Sequence, residues 1–99
     1  MKARYIWETP EEINLVVAKN IKKLRKRHKV SQKELSRLSG VSYGSIKRFE
    51  ETGNISLVSL TKVAIALSIE NEIKELFANV PYKSIEEFIN EQKWKLVYY

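Results

Sequence analysis

The chain has 99 residues, 43% of them hydrophobic and 30% charged, with a formal net charge of +6 at pH 7. This composition predicts one globular domain with a modest core, to which a partner subunit would add stability. The chain has no cysteine and one histidine, which excludes disulfide scaffolds and thiolate zinc sites and disfavours a histidine relay. The same counts lead us to expect no metal or other cofactor. No apolar run approaches the length of a membrane span or a signal-peptide core, so we expect a cytoplasmic protein.

The first helix is predicted to begin after Thr9. Thr9 is an N-cap residue, Pro10 stands at the first helical position, and Glu12 completes a capping box. Apolar residues then recur at helical spacing and predict an amphipathic helix to about Arg27: Ile13, Val17, Ile21 and Leu24. Residues 1–8 form an N-terminal arm, and residues 3–7 within it have a short pattern typical of a β-strand.

Two short helices are predicted next. A capping box at Ser31 and Glu34 begins the second helix, which points Leu35 and Leu38 inward. Gly40 stops it, because glycine allows the left-handed backbone of a tight turn.

The third helix follows at once, with Ser42 as its N-cap and its end near Glu51. Ile46 and Phe49 supply its buried face. Two short helices joined by a glycine turn are typical of a helix-turn-helix, in which the second helix exposes its outer face.

A fourth helix is capped by Ser56, and a fifth begins near Glu70. The apolar residues assigned to these two helices are Leu57, Leu60, Val63, Ala64 and Leu67, then Ile69, Ile73, Leu76 and Phe77. With the first three helices they predict a domain over residues 9–79.

The C-terminal extension, residues 80–99, is predicted to differ in kind. Pro81 marks a boundary, and a capping box at Ser84 begins a short helix through about Asn90. Residues 93–99 then alternate in a period-two pattern rich in aromatic residues, which predicts a strand. We expect this strand to pair with residues 3–7 or across a dimer. Its aromatic side chains would be buried at a subunit interface or, less favoured, stack on nucleic-acid bases.

The positive charge is concentrated in residues 19–48, which hold eleven cations and one anion, Glu34, while the rest of the chain has a net charge of −4. Such a segment can be a solvated helix face, or it can bind a polyanion such as nucleic acid or an anionic membrane surface. The cations are Lys19, Lys22, Lys23, Arg25, Lys26, Arg27, Lys29, Lys33, Arg37, Lys47 and Arg48.

From about Asn20 to Phe77 the chain resembles the Cro/CI-type, or XRE, helix-turn-helix family. The matching motifs are Ile21-Lys22-Lys23-Leu24-Arg25, Ser31-Gln32-Lys33-Glu34-Leu35, Gly40-Val41-Ser42, Ile46 and Glu50, and a later helix with Leu60 and Leu67. The resemblance implies an all-α, five-helix, lambda-repressor-like fold that binds palindromic double-stranded DNA as a dimer. Ser36, where the family usually has alanine, and a short loop after Glu50 depart from the pattern.

In the family's register, the third helix reads bases in the major groove through Tyr43, Ser45, Lys47 and Arg48. Arg48 is the strongest candidate, because arginine can bond guanine O6 and N7 together. The alternative for Arg48 is a solvated surface arginine.

The resemblance also assigns Gln32 to the DNA backbone, at a helix N-terminus that already favours phosphate. Further backbone contacts are expected from Lys29, Lys33, Arg37 and Ser42. The same pattern pairs Arg25 with Glu50 in a structural salt bridge inside the domain.

These expectations together predict a dimeric, cytoplasmic and nucleoid-associated repressor. A weaker likeness to HipB-like antitoxins adds a kinase-like toxin as a partner. The alternative is a non-enzymatic module that binds an acidic protein or an anionic membrane through the same basic face. We expect no membrane partner and no catalytic residues, since the paired glutamates stand at helix ends, where caps and dipoles explain them.

Overall fold

The computed structural model describes residues 8–79 and 85–98 of the chain, and these residues form six helices. The helices are α1 (Pro10–Arg27), α2 (Gln32–Ser39), α3 (Tyr43–Thr52), α4 (Leu57–Ala66), α5 (Glu70–Lys74) and α6 (Ile85–Tyr98). The predicted all-α fold with a helix-turn-helix is confirmed.

The helix starts follow the N-caps that the sequence predicts. At α1 the capping box is complete: the Thr9 backbone N–H donates to Glu12 Oε1 at 2.8 Å, and the Glu12 N–H donates to Thr9 Oγ1 at 3.1 Å. At α2 only half of the predicted box forms. Ser31 Oγ accepts the Glu34 N–H at 3.0 Å, but the Glu34 carboxylate pairs with Arg37 instead of returning to Ser31. The side chains of Ser42 and Ser56 cap α3 and α4 in the same way.

The core lies where α1, α2, α3 and α4 meet. α3 packs on both α1 and α2, α4 packs on α2, and α5 packs on α4. The buried apolar side chains are Ala18, Ile21, Leu35, Val41, Ile46, Phe49, Val63, Ala64 and Leu67. Ile46 and Phe49 therefore face inward as predicted, which turns the opposite face of α3 to solvent.

Several apolar residues that were assigned to inward faces are exposed, so those assignments are wrong. The buried residues of α1 are Ala18, Ile21 and Arg25, and earlier in the helix the backbone of Gly53 approaches Asn14 rather than Ile13 or Val17. The residues concerned are Ile13, Val17, Leu38 and Leu57, whose exposure runs from 39% at Val17 to 63% at Leu57. Leu76 and Phe77, which were assigned to the fifth helix, follow its end at Lys74 and are 49% and 86% exposed.

The strand predicted for residues 93–99 is also wrong, because α6 continues as a helix to Tyr98. No glycine or proline interrupts this segment, its first turn carries Glu86 and Glu87, and a lone strand would have lacked a partner. The predicted strand at residues 3–7, the boundary at Pro81 and the cap at Ser84 lie outside the described residues.

Two glycines end helices in the left-handed region. Gly40 closes α2 with φ of +78°, and nothing lies within 4 Å of the position where a Cβ would stand. Gly53 closes α3 with φ of +84°, but a Cβ there would lie 2.8 Å from the Asn14 carbonyl carbon of α1. Gly53 is thus required both by its backbone conformation and by the close approach of α1.

Alanine substitutions should separate these two requirements. Gly53→Ala should lower the free energy of unfolding by more than 2 kcal/mol, an order-of-magnitude value, since strain and a backbone clash add. Gly40→Ala should cost only about 1 kcal/mol, from strain alone. Gly44→Ala, inside α3 with open space around it, is the control and should stabilise by about 0.5–1 kcal/mol. Urea denaturation measures all three, and equal effects at Gly53 and Gly40 would contradict the packing of α1 on this turn.

Candidate nucleic-acid interface

A largely buried polar network fixes α3 against α1 and the start of α2. Arg25 Nε donates to Glu50 Oε2 at 2.7 Å, and Arg25 Nη2 donates to Glu50 Oε1 at 3.0 Å. Gln32 Nε2 donates to the same Oε1 at 2.9 Å. Arg25 Nη1 donates to the Val30 carbonyl at 2.8 Å. One carboxylate of α3 thereby holds side chains from two other helices.

The electrostatics of this network keep Glu50 ionised. The side chains of Arg25 and Glu50 are only 9% and 3% exposed. Burial by itself would raise the pKa of Glu50, but the hydrogen bonds from Arg25 and Gln32 and the positive charge of Arg25 outweigh it and lower that pKa below its usual value. The Arg25–Glu50 pair is therefore ionised at neutral pH, and this pair is the clamp that joins α3 to α1.

The outer face of α3 is exposed along its length. Tyr43 is 40% exposed, and Ser45, Lys47 and Arg48 are also exposed, while Ile46 and Phe49 on the opposite side are buried. The clamp and this apolar face fix the orientation of α3, so its polar side chains project from the domain. The structure thus brings the four residues expected to read bases onto one accessible surface.

The residues near the start of α3 contact one another. The Lys33 ammonium of α2 lies 5.7 Å from the centre of the Tyr43 ring, within cation–π range. The Ser42 hydroxyl donates to Ser45 Oγ at 2.8 Å and accepts the Ser45 backbone N–H at 3.1 Å. Ser42 is thereby engaged as a cap, and its hydroxyl also holds the Ser45 hydroxyl beside it at the start of α3.

The residues expected to contact the DNA backbone differ in their exposure and in their partners. Lys29 is exposed in the turn after α1, with φ of +59°. Arg37 is exposed but forms an ion pair with Glu34, which raises the pKa of Arg37 and lowers that of Glu34 through their hydrogen bonds and charges. Gln32 is half-buried, and its side chain is held by Glu50. A phosphate at α2 would therefore meet the free backbone N–H groups of its first turn.

An open groove that the sequence did not reveal runs along α3. It has a volume of about 360 Å³ and is lined by Ser45 and Arg48 of α3 together with residues that follow it: Asn54, Ile55, Ser56 and Ser59. The only sequence signal was the N-cap at Ser56, since contact between this loop and α3 depends on the fold of the chain after Gly53. The groove extends the polar surface of α3 towards the first turn of α4.

Other kinds of site find little support in the described ranges. Among residues 8–79 and 85–98, no group of three or more histidine or acidic side chains is placed to hold a metal. Over the same ranges, no helix is both long enough and apolar enough to cross a membrane.

Comparison with known proteins gives one match. A family model described as helix-turn-helix matches residues 21–70, from the second half of α1 to the first residue of α5. No curated protein and no solved structure matches the chain. The matched range contains the clamp, the turn at Gly40 and the whole exposed face of α3.

The clamp should contribute far more stability than the exposed ion pair. Glu50→Gln leaves Arg25 buried beside a neutral group and should lower the free energy of unfolding by about 3 kcal/mol. Glu34→Gln makes the same change of charge in the exposed pair with Arg37 and should leave that free energy nearly unchanged. Thermal or urea denaturation of both variants measures the difference, and equal stability of Glu50→Gln and wild type would refute a stabilising clamp.

The clamp should also give stability a dependence on acid. Because the folded-state pKa of Glu50 is lowered, its contribution is present above the pKa that the residue has in the unfolded chain and is lost as pH falls through the folded-state value. The difference in unfolding free energy between wild type and Glu50→Gln should therefore shrink as pH falls below about 4.5. Denaturation at several pH values between neutrality and pH 3 checks this, and a constant difference would contradict the sign.

Proposed function

We propose that the chain is a sequence-specific repressor that acts as a homodimer on a palindromic operator. The premise is that the chain belongs to the Cro/CI-type (XRE) helix-turn-helix family of DNA-binding transcription regulators. The observation that carries the proposal is the exposed polar face of α3, held outward by buried Ile46 and Phe49 and by the clamp to Arg25. A regulator of this kind acts where the chromosome is, so the proposal includes a cytoplasmic, nucleoid-associated location.

In the proposed mechanism α3 enters the major groove and reads base edges. Arg48 donates two hydrogen bonds to guanine O6 and N7, and the exposed Ser45 hydroxyl donates to a base acceptor. The Tyr43 ring, beside the Lys33 ammonium, contacts a thymine methyl group or the sugar edge. Lys47 completes the set of base-contacting residues. The side chains that read bases would then be the exposed ones of α3, which are not part of the core.

The surrounding charges position the domain on the DNA backbone. Lys29 and Lys33 neutralise phosphates directly, and Arg37 does so after exchanging its carboxylate partner Glu34 for a phosphate. The first turn of α2, at Gln32, donates backbone N–H groups, and Ser42 lies next to this turn at the start of α3. These contacts supply affinity without sequence information.

Two domains of a dimer would place their α3 helices about 34 Å apart, one turn of B-DNA, and occupancy of the operator would exclude polymerase. Selection of bound duplexes from a random pool tests this directly. We expect a palindrome whose half-site centres lie about 10–11 base pairs apart. Recovery of unrelated sequences, or of none, would contradict a sequence-specific dimer.

Two narrower or competing roles can be separated from this one by binding experiments. The antitoxin role, with a kinase-like toxin as partner, stays a prediction from the family resemblance, and a pull-down that recovers no toxin would remove it.

A module for an anionic membrane or an acidic protein would use the same basic residues. Co-sedimentation with anionic vesicles, compared with duplex binding at matched salt, separates these, and we expect the duplex to be preferred.

Replacing Arg48 or Lys29 by alanine should weaken DNA binding in two different ways. Arg48→Ala should cost about 1–3 kcal/mol of binding free energy and relax base preference at one operator position. Lys29→Ala should weaken all duplexes alike and reduce the slope of log K against log salt by about 0.9 per subunit. Competition binding with operator variants, repeated over a salt series, measures both. An unchanged preference in Arg48→Ala would show that Arg48 reads no base.

A further inference from the structure

Glu34 is the one acidic residue in the basic segment of residues 19–48, and it lies in the first turn of α2. Its carboxylate does not complete a capping box with Ser31, whose hydroxyl caps the helix alone. It accepts two hydrogen bonds from Arg37 instead: Arg37 Nε donates to Glu34 Oε1 at 3.3 Å, and Arg37 Nη2 donates to Glu34 Oε2. The single anion of this segment therefore occupies the donors of a residue expected at the DNA backbone.

Arg37 lies on the side of α2 that adjoins the outer face of α3. It follows Lys33 by four positions, and residues at this spacing share one face of a helix. The Lys33 ammonium lies 5.7 Å from the centre of the ring of Tyr43, which is exposed at the start of α3. Arg37 is thus placed to meet a phosphate that flanks the bases that α3 would read.

The pair of Arg37 and Glu34 is exposed, so exchanging its carboxylate for a phosphate costs little. The two side chains are 68% and 44% exposed, and ion pairs that stay in contact with water contribute little free energy. A phosphate offers the guanidinium two acceptor oxygens in the same arrangement as a carboxylate. The exchange requires a phosphate at the right place, because a more distant one cannot replace both hydrogen bonds to Glu34.

We infer that Glu34 is a specificity-determining residue, which keeps Arg37 from DNA phosphates until α3 is seated in the major groove. On the operator, the seated domain brings a phosphate to Arg37, and the carboxylate of Glu34 is exchanged for it. On other duplexes the base edges do not match and α3 stays further from the groove, so Arg37 remains paired with Glu34. The inference rests on the proposed function, because it takes an operator and unrelated duplexes as the two ligands.

Glu34→Gln tests this in the full-length protein with a selected operator and a duplex of random sequence and equal length. On the random duplex the freed Arg37 neutralises one more phosphate. Affinity there should rise about fivefold per bound domain at about 0.15 M salt, and the slope of log K against log salt should steepen by about 0.9. On the operator, where Arg37 already contacts phosphate, affinity should rise less than about twofold without a change of slope. Fluorescence anisotropy over a salt series measures both.

Two further variants separate the role of Arg37 from a general change of charge. Glu11→Gln removes one negative charge from an exposed position in the first turn of α1, and it should bind both duplexes within about twofold of wild type. The double variant Glu34→Gln/Arg37→Ala should lose the steeper slope on the random duplex. Equal gains on the two duplexes, a gain that survives Arg37→Ala, or no gain at all would each overturn the inference.

A probe without base sequence keeps this inference distinct from the proposed function. Inorganic tripolyphosphate, titrated into the ¹⁵N-labelled protein, should shift the Arg37 Nε resonance at severalfold lower concentration in Glu34→Gln than in wild type. A chain that shows this difference but selects no duplex would support the competition between Glu34 and phosphate and contradict the proposed function alone. An Arg37 resonance that responds alike in both proteins would contradict the inference, whatever the duplex binding.

Discussion

The position of α3 depends on one buried carboxylate. Glu50 accepts hydrogen bonds from Arg25 of α1 and Gln32 of α2, and Arg25 in turn reaches the Val30 carbonyl between those helices. Removing two charges from water is costly, and the cost is offset only when the remaining hydrogen-bonding groups find partners. In the described part of the chain no buried side-chain nitrogen or oxygen lacks one. The network therefore fixes a helix at one angle, which apolar packing of Ile46 and Phe49 alone would specify less sharply.

That constraint explains how stability and the proposed recognition of bases can occupy opposite faces of a helix of 10 residues. The inner face of α3 holds the apolar anchors and the carboxylate, and the outer face holds the exposed side chains of Tyr43, Ser45, Lys47 and Arg48. The segment with eleven cations, residues 19–48, includes Lys47 and Arg48 of this outer face, while the rest of the chain has a net charge of −4. A separation of this kind steers a polyanion to one side of the domain.

Local signals in the sequence predicted the helices well. Thr9, Ser31, Ser42 and Ser56 each begin a helix, and Gly40 ends one, because caps and left-handed turns are decided by residues close in sequence. The exposed face of α3 was predictable for the same reason, from the spacing of its two buried residues.

Burial and the C-terminal segment were predicted poorly, because both depend on distant parts of the chain. Leu38 and Leu57 have the right spacing to face inward, yet they are 48% and 63% exposed in the folded chain. The alternation in residues 93–99 fits a strand in isolation. However, a strand needs a neighbouring strand to accept and donate its backbone hydrogen bonds, whereas a helix forms these bonds within itself. The groove beside Arg48 was missed because it forms only when the loop after Gly53 folds back along α3.

The central claim is that α3, held by the Arg25–Glu50 clamp, presents its outer face to the major groove. Titration of the ¹⁵N-labelled protein with a selected duplex, followed by amide chemical shifts, tests it most directly. The account predicts the largest shifts at Tyr43, Ser45, Lys47 and Arg48 and in the first turn of α2. Shifts confined to other surfaces, with those four amides unmoved, would contradict it.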